Sequence, residues 1–170
     1  MITVTPWTER KFNFDYPIGL YPVIIERLRG TLPRLRSLVK DIPSEKLNYK
    51  KDGKWSVKEV IGHLADIESL WSARIDDFLA GKETLRAADM TNQRTHDAHH
   101  NEKNTAALLQ EFQQVREQLI KKVESFDEST AGITALHPRL QKPMRLIDSL
   151  FFAAEHDDHE LNKIRSLLIG

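Results

Sequence analysis

The chain contains no cysteine. This absence excludes disulfides, zinc–thiolate sites and any cysteine nucleophile supplied by the protein itself. A cysteine-free sequence also fits a cytoplasmic location, because reduced compartments make little use of disulfides. If a thiol takes part in the chemistry of this protein, it must arrive with a substrate or a cofactor.

Long apolar runs and an excess of one charge are missing as well. No apolar stretch approaches the roughly 20 residues needed to span a membrane. The opening sequence MITVTPWTERKF lacks the basic and apolar segments of a signal peptide. The 25 Lys and Arg residues balance 25 Asp and Glu residues, and they do not cluster with aromatic side chains. We therefore expect neither a membrane nor a nucleic acid as a partner.

What the sequence does contain is helical periodicity. A length of 170 residues favours a single domain spanning 1–170. The first 18 or so residues (about 1–18) show no period and predict an extended arm. Four helices are predicted. The first begins at Leu20 and breaks near Gly30 and Pro33, and the second is capped by Ser56 and Glu59 and ends at Gly81. The third covers 105–126, and the fourth begins at about Pro143. Residues 82–103 are a predicted long connection with room for a short helix, and residues 127–143 are a predicted loop. The pattern therefore indicates an all-α helical bundle.

The second and fourth helices both bring metal-ligand side chains to the edge of the core. Each residue of a helix advances the direction of the side chain by about 100°. His63 then lies about 60° and Arg74 about 40° from the centre of the apolar face of the second helix. On the fourth helix, Glu160 lies about 40° and His156 about 80° from the apolar line.

Two histidines and one carboxylate therefore predict a divalent metal site of His63, His156 and Glu160 with open positions for water and substrate. His159 points about 140° away, toward solvent, so we expect it not to ligate. Asp157 falls on the inward side and is the main rival ligand, or a partner that orients an imidazole. His100 and Arg74 are further alternatives for such supporting roles.

The same residues have simpler interpretations. A single histidine at the edge of a core is more often a hydrogen-bonded residue than a ligand, and HDDHE over 156–160 can be a polar helix face. Arg74 can be a buried arginine paired with an acid. His96, His99, His100 and His137 fall in predicted loops, where histidines are usually solvated.

Several separated motifs resemble the DinB/YfiT-like superfamily. The strongest are KDGKWSVKEVIGHLADIESLWSARIDDFLAG, which contains His63, and FFAAEHDDHELNKI near the end of the chain. PWTERKFNFDYPIGLYP, RLRGT, TNQRTHDAHHN and LHPRLQKPMRLID resemble one subgroup of that superfamily. The resemblance covers almost the whole chain, with the motifs in the same order.

This resemblance implies a four-helix bundle in up-down-down-up order with one long crossover connection. It also implies a divalent metal, often nickel, zinc, manganese or iron, held by three histidines. By position, the first two ligands fall on His63 and His156. The third falls on Glu160, which departs from the family pattern. Either Glu160 ligates, or His159 takes its place through a shift of the helix, or the site is weaker or empty.

Family members of known activity include thiol-dependent transferases and isomerases, in which the metal activates a low-molecular-weight thiol. Others are described as metal-dependent hydrolases. The resemblance thus implies a metal-dependent enzyme acting on a small-molecule substrate, either by thiol transfer or by hydrolysis. The alternative is a non-catalytic, stress-associated binding module with a weakened or empty metal site. Bundles of this type often pair, and an excess of aromatic residues near the start of the chain favours a homodimer: Trp7, Phe12, Phe14 and Tyr16.

Overall fold

The computed structural model describes residues 2–169 and contains the four predicted long helical segments. The helices are α1 (Tyr21–Arg29), α2 (Thr31–Val39), α3 (Ser44–Asn48), α4 (Val57–Leu79), α5 (Gln93–Asp97), α6 (Thr105–Val123), α7 (Glu128–Ala131) and α8 (Leu146–Ile169), and the strands are β1 (Thr134–His137) and β2 (Lys142–Arg145). Strands β1 and β2 pair antiparallel, with Leu136 opposite Pro143.

The long helical segments form a four-helix bundle in up-down-down-up order, as predicted. The first segment is α1 followed by α2, and the other three are α4, α6 and α8. The break between α1 and α2 falls at Gly30, and Pro33 lies in the first turn of α2, where a missing N–H disturbs no helical hydrogen bond. The crossover between α4 and α6 occupies residues 80–104 and contains α5 and a short 3-10 turn.

Helix α4 begins and ends as its sequence predicts. The Ser56 hydroxyl accepts a hydrogen bond from the Glu59 amide, and the Glu59 carboxylate accepts one from the Ser56 amide at 2.8 Å. These two bonds form a capping box. At the other end Gly81 has φ +67°, the left-handed conformation that commonly follows the end of a helix. This helix carries His63, so its fixed start also fixes the direction of that side chain.

The prediction for residues 127–143 was wrong in two respects. The segment is not simply a loop, because it contains α7, strand β1 and the start of β2. Helix α8 begins at Leu146 and not near Pro143, which lies in β2. The Asp148 carboxylate marks the true start, since it accepts a hydrogen bond from the Arg145 amide at 2.7 Å.

A buried ionic cluster lies between two apolar halves of the core. One half surrounds Trp71, Phe78 and Phe152, and the other surrounds Val60, Leu64 and Phe112. The cluster consists of Arg116 on α6, Glu68 on α4, and Asp157 on α8, with Thr31 on α2. Arg116 donates to Glu68 at 2.5 Å and to Asp157 at 2.6 Å, while the Thr31 hydroxyl donates to Asp157 at 2.7 Å. These bonds tie the four long helical segments together near the middle of the bundle.

The N-terminal arm packs against the body of the protein. The Trp7 ring lies 4.8 Å from the Phe152 ring, and Phe12 is buried beside both. Phe14 and Tyr16 are half-buried against the same half of the core. The aromatic residues that favour a homodimer thus pack against the core of their own chain, and the homodimer stays a prediction. Within residues 2–169, none of the helices combines the length and the apolar character required to cross a bilayer.

Candidate metal centre

Helices α4 and α8 bring three metal-ligand side chains together. His63 on α4 and His156 and Glu160 on α8 each offer one ligand atom, and these atoms lie within 4.8 Å of one another. All three side chains are buried. Nε2 of His156 lies 3.9 Å from a carboxylate oxygen of Glu160, as expected for residues one helical turn apart. They are the residues that the helical angles predict as metal ligands.

Both histidines are suited to bind a cation because their environment keeps them neutral. Burial, with a smaller effect from the nearby imidazole of His156, lowers the pKa of His63 to about 4. Burial also lowers the pKa of His156 to about 4, against a smaller opposing effect from Asp157. At neutral pH each ring therefore retains a lone pair that can be donated to a metal.

A chain of hydrogen bonds orients the ring of His63. The Thr95 hydroxyl donates its hydrogen to Asp66 at 2.9 Å, and Nδ1 of His63 lies 3.2 Å from the same hydroxyl oxygen. Since the only hydrogen of the hydroxyl goes to Asp66, Nδ1 must carry the proton that it donates to Thr95. The lone pair of His63 is then on Nε2, which is the tautomer that a metal ligand needs.

His100 completes this chain from the crossover. Its Nε2 lies 2.8 Å from the Asp66 carboxylate, and its ring packs on Gly62 so closely that a Cβ there would lie 2.2 Å from the ring. His100 is buried, contrary to the expectation that the loop histidines are solvated, while His96 and His99 are exposed. His100 thus supports His63 through Asp66 and Thr95 and is not in the ligand group.

Aromatic rings hold His156 in place. The Trp7 ring lies 5.0 Å from the His156 ring and the Trp71 ring lies 5.8 Å from it. Among the described residues, Nδ1 of His156 has no hydrogen-bond partner. Glu160 also contacts the Lys163 ammonium at 3.2 Å. A buried carboxylate and two neutral imidazoles form a donor set that fits a divalent cation.

The structure separates the other predicted site residues by role. His159 is half-buried beside Trp7, with ring centres 5.8 Å apart, and is not in the ligand group found within residues 2–169. Asp157 points into the ionic cluster with Arg116 and Thr31, so it neither replaces Glu160 nor holds an imidazole. Arg74 lies farther along the cavity described next.

The candidate ligands line a cavity of about 880 Å³. All three tryptophans of the chain contribute to its wall, so we call it the tryptophan cavity: Trp7, Trp55 and Trp71. Arg74, His137 and Arg139 also line it. His137 is buried at the end of β1, contrary to its predicted place in a solvated loop. A cavity of this size with apolar walls can enclose a small molecule.

Sequence reasoning missed the two side chains that orient His63. Asp66 lies in the GHLAD motif, three residues after His63 on the same helix, so its position was a usable signal. Thr95 lies in the crossover, where no periodicity indicates which side chains turn inward. Only the folded structure places its hydroxyl between Asp66 and His63.

Comparison with known proteins places this fold and site in context. The chain is similar to YfiT from Bacillus subtilis, which is described as a probable metal-dependent hydrolase with an unusual four-helix bundle topology. The two sequences are 18% identical, and the structures align with a TM-score of 0.79 over 94% of this chain and 91% of that one. It is also similar to a mycothiol-dependent maleylpyruvate isomerase, with 13% identity, a TM-score of 0.66, and coverage of 91% and 67%. At these identities the likeness concerns the fold.

Curated protein sequences yielded no significant match. The sequence model of the DinB superfamily, in contrast, matches residues 27–164, which include all three candidate ligands. Since this match spans well over half of the 170 residues, the chain belongs to the DinB superfamily.

Proposed function

We propose that this protein is a metal-dependent enzyme that acts on a small molecule in the tryptophan cavity. His63, His156 and Glu160 would hold the metal. The observation that carries the proposal is that their ligand atoms lie within 4.8 Å of one another at the wall of that cavity. A divalent metal supplies a nucleophile at neutral pH by lowering the pKa of a bound thiol or water.

The residues of the chain would tune this chemistry. The carboxylate of Glu160 leaves the centre less positive than three neutral imidazoles would, which favours harder ions such as manganese or iron(II) over nickel or zinc. The Thr95–Asp66 pair fixes the tautomer of His63. The tryptophan rings would place apolar surface beside the centre, and electrostatic interactions are stronger where less water surrounds the charges.

The source of the nucleophile separates two versions of the proposal. In one, a low-molecular-weight thiol binds at the metal and is transferred or added to the substrate; the chain, having no cysteine, supplies none itself. In the other, a water molecule is activated and the substrate is hydrolysed. The names of the two similar structures support one version each, a mycothiol-dependent isomerase and a probable hydrolase.

Cobalt substitution tests the proposal and separates the versions. The protein is freed of metal with a chelator, loaded with Co²⁺, and its visible spectrum is recorded before and after adding 2-mercaptoethanol. We expect one Co²⁺ per chain, and a new thiolate-to-cobalt absorption band if the nucleophile is a thiol. An unchanged spectrum with stoichiometric cobalt favours the hydrolase. Failure to bind any of manganese, iron(II), cobalt, nickel or zinc overturns the proposal in favour of a non-catalytic binding module.

A further inference from the structure

Arg74 is a buried cation without a counter-ion. Its side chain is 2% exposed, yet among residues 2–169 no carboxylate lies within ion-pair distance of it. Burial, with a smaller effect from the Arg139 charge, lowers the pKa of Arg74 to about 10, so it remains charged at neutral pH. The other deeply buried arginine, Arg116, has two carboxylate partners. An isolated buried charge is costly unless something neutralises it.

The neighbouring loop holds Arg74 in one orientation. Asp77 accepts hydrogen bonds from the Arg86 amide at 2.9 Å and from the Arg86 guanidinium at 2.7 Å. The Arg86 carbonyl, fixed in this way, accepts a hydrogen bond from Nε of Arg74 at 3.1 Å. The two terminal nitrogens of Arg74 have no hydrogen-bond partner in the part of the chain that the structure describes. They remain as donors on a residue that lines the cavity.

His137 supplies a further unused donor. The Leu140 amide donates to Nδ1 of His137 at 3.1 Å, so in the neutral ring the proton must lie on Nε2. Burial, together with the charge of Arg74, lowers the pKa of His137 to about 4, which keeps the ring neutral. Nε2 is shielded from solvent and has no hydrogen-bond partner within residues 2–169. A buried N–H donor without an acceptor normally has a ligand or an ordered water as its partner.

Arg139 adds a second positive charge at the same end of the cavity. Its guanidinium lies 6.0 Å from the Phe152 ring, and one nitrogen donates to the Thr8 carbonyl at 3.2 Å. The two carboxylates that line the cavity are engaged elsewhere. Glu160 lies beside His156 and Lys163, and Asp89 accepts hydrogen bonds from Thr91 and Gln93.

We propose that Arg74, His137 and Arg139 form a subsite for an oxyanion, a carboxylate or phosphate group of the substrate. Two guanidinium groups and one imidazole N–H offer only donors, and the planar fork of arginine matches the oxygens of such groups. The inference rests on the proposed function in one respect, namely that the tryptophan cavity receives the substrate.

The subsite is close enough to the metal centre for one small molecule to reach both. The Trp71 ring lies 5.8 Å from the His156 ring and 5.6 Å from Cζ of Arg74, so a single tryptophan separates the two groups. An anionic group held at Arg74 would leave the rest of a short substrate pointing along Trp71 toward His156. The substrate class is therefore a small organic acid or phosphate ester.

Anion binding to the metal-free protein tests the subsite independently of the metal. The protein is titrated with acetate, with inorganic phosphate and with neutral acetamide at constant ionic strength, and binding is followed by tryptophan fluorescence, since all three tryptophans line the cavity. We expect saturable binding of acetate or phosphate and none of acetamide. Tighter binding of acetate assigns a carboxylate, and tighter binding of phosphate assigns a phosphate group.

Matched variants locate the binding. Arg74→Met and Arg139→Met should each weaken anion binding roughly tenfold or more, because each removes charge-assisted hydrogen bonds. Arg139→Met serves alone if Arg74→Met does not fold. Arg36→Met, at an exposed arginine on α2, should bind like the wild type.

The subsite is refuted if the wild type binds neither anion, if acetamide binds as well as acetate, or if Arg139→Met binds like Arg36→Met. Glu160→Ala separates this inference from the proposed function, because it should lose the metal and retain the anion. Failure of anion binding with intact metal binding would remove the subsite alone.

Discussion

The rings of His63 and His156 lie 5.3 Å apart, although 93 residues of chain separate them. They meet because α4 and α8 pack side by side in the bundle. Each ring is buried and is held by different neighbours, His63 by the Thr95 hydroxyl and His156 by tryptophan rings. The candidate metal centre is thus positioned by tertiary packing, and its properties can be tested one residue at a time.

Substitution of Glu160 should remove the metal, whereas substitution of His159 should not. Glu160→Ala deletes a candidate ligand, and we expect metal affinity to fall by more than roughly 100-fold, since losing even an outer partner typically costs 10–100-fold. His159→Ala should leave metal affinity nearly unchanged because that ring lies outside the ligand group. Competition with a chromogenic chelator measures both affinities. Loss of metal from His159→Ala alone would show that the assignment is wrong.

Replacing Thr95 should weaken metal binding without removing a ligand. Thr95→Val keeps the shape of the side chain but removes the hydroxyl that orients His63, so we expect affinity to fall by roughly 10–100-fold. Thr95→Ser retains the hydroxyl and serves as the control, with an affinity near that of the wild type. Equal affinities for the valine and serine variants in the same chelator competition would show that the hydroxyl has no orienting role.

Gly62→Ala should displace His100, which supports His63 through Asp66 and Thr95. Alanine usually stabilises a helix interior relative to glycine, but here its Cβ would lie 2.2 Å from the His100 ring. We expect the free energy of unfolding to fall by about 1–3 kcal/mol and metal affinity to fall with it. Urea denaturation measures the stability.

The double variant Gly62→Ala/His100→Ala provides the control for this prediction. Removing the ring removes the clash, so the effects of the two substitutions should not add. Strictly additive losses of stability would mean that Gly62 and His100 are not coupled in this way.

Acidification should destabilise the metal-free protein. The pKa of His137 is lowered to about 4 by burial and the nearby Arg74, as are those of His63 and His156 by their own burial. Since an unfolded histidine titrates near about 6.5, the unfolded chain binds more protons between these values. The stability that these three histidines contribute should therefore be constant above about pH 6.5 and decrease as the pH falls toward 4.

Variants assign part of this pH dependence to His137. His137→Asn removes a titrating group while keeping an acceptor for the Leu140 amide, so stability should fall less steeply between pH 7 and pH 5. His96→Gln, at an exposed histidine, should keep the slope of the wild type. Urea denaturation at several pH values gives these slopes, and identical slopes for His137→Asn and the wild type would contradict the assignment.

The buried ionic cluster should be sensitive to loss of its cation. Arg116→Met would leave the carboxylates of Glu68 and Asp157 buried without a counter-ion, and we expect a cost of about 3–5 kcal/mol. Arg29→Met breaks an exposed pair with Glu124 and should cost under about 1 kcal/mol. Similar urea midpoints for the two variants would contradict this account.

Local signals in the sequence were sufficient to predict where several of the long helices begin, break and end. The capping box at Ser56 and Glu59, the break at Gly30 and the left-handed Gly81 each depend on neighbouring residues only, so they could be read directly. The helical angles of His63, His156 and Glu160 also follow from spacing within one helix. The strands β1 and β2 were missed because four residues each are too few to show alternation.

What the sequence could not supply depends on contacts between distant segments. His100 is buried because Gly62 leaves room for its ring, and nothing near His100 in the sequence indicates this. Asp157 has an inward direction on α8, but its partner Arg116 belongs to another helix. Arg74 was placed correctly on the inner face, yet its lack of an acidic partner is visible only when every neighbouring element is present.

The N-terminal arm contributes to the tryptophan cavity from outside the segment that matches the superfamily model. Trp7 and Thr8 form part of the cavity wall, but they lie outside residues 27–164, the segment shared with the superfamily. The candidate ligands and this part of the cavity wall are therefore separate in sequence. Changes in the arm can therefore reshape the tryptophan cavity without altering a candidate ligand.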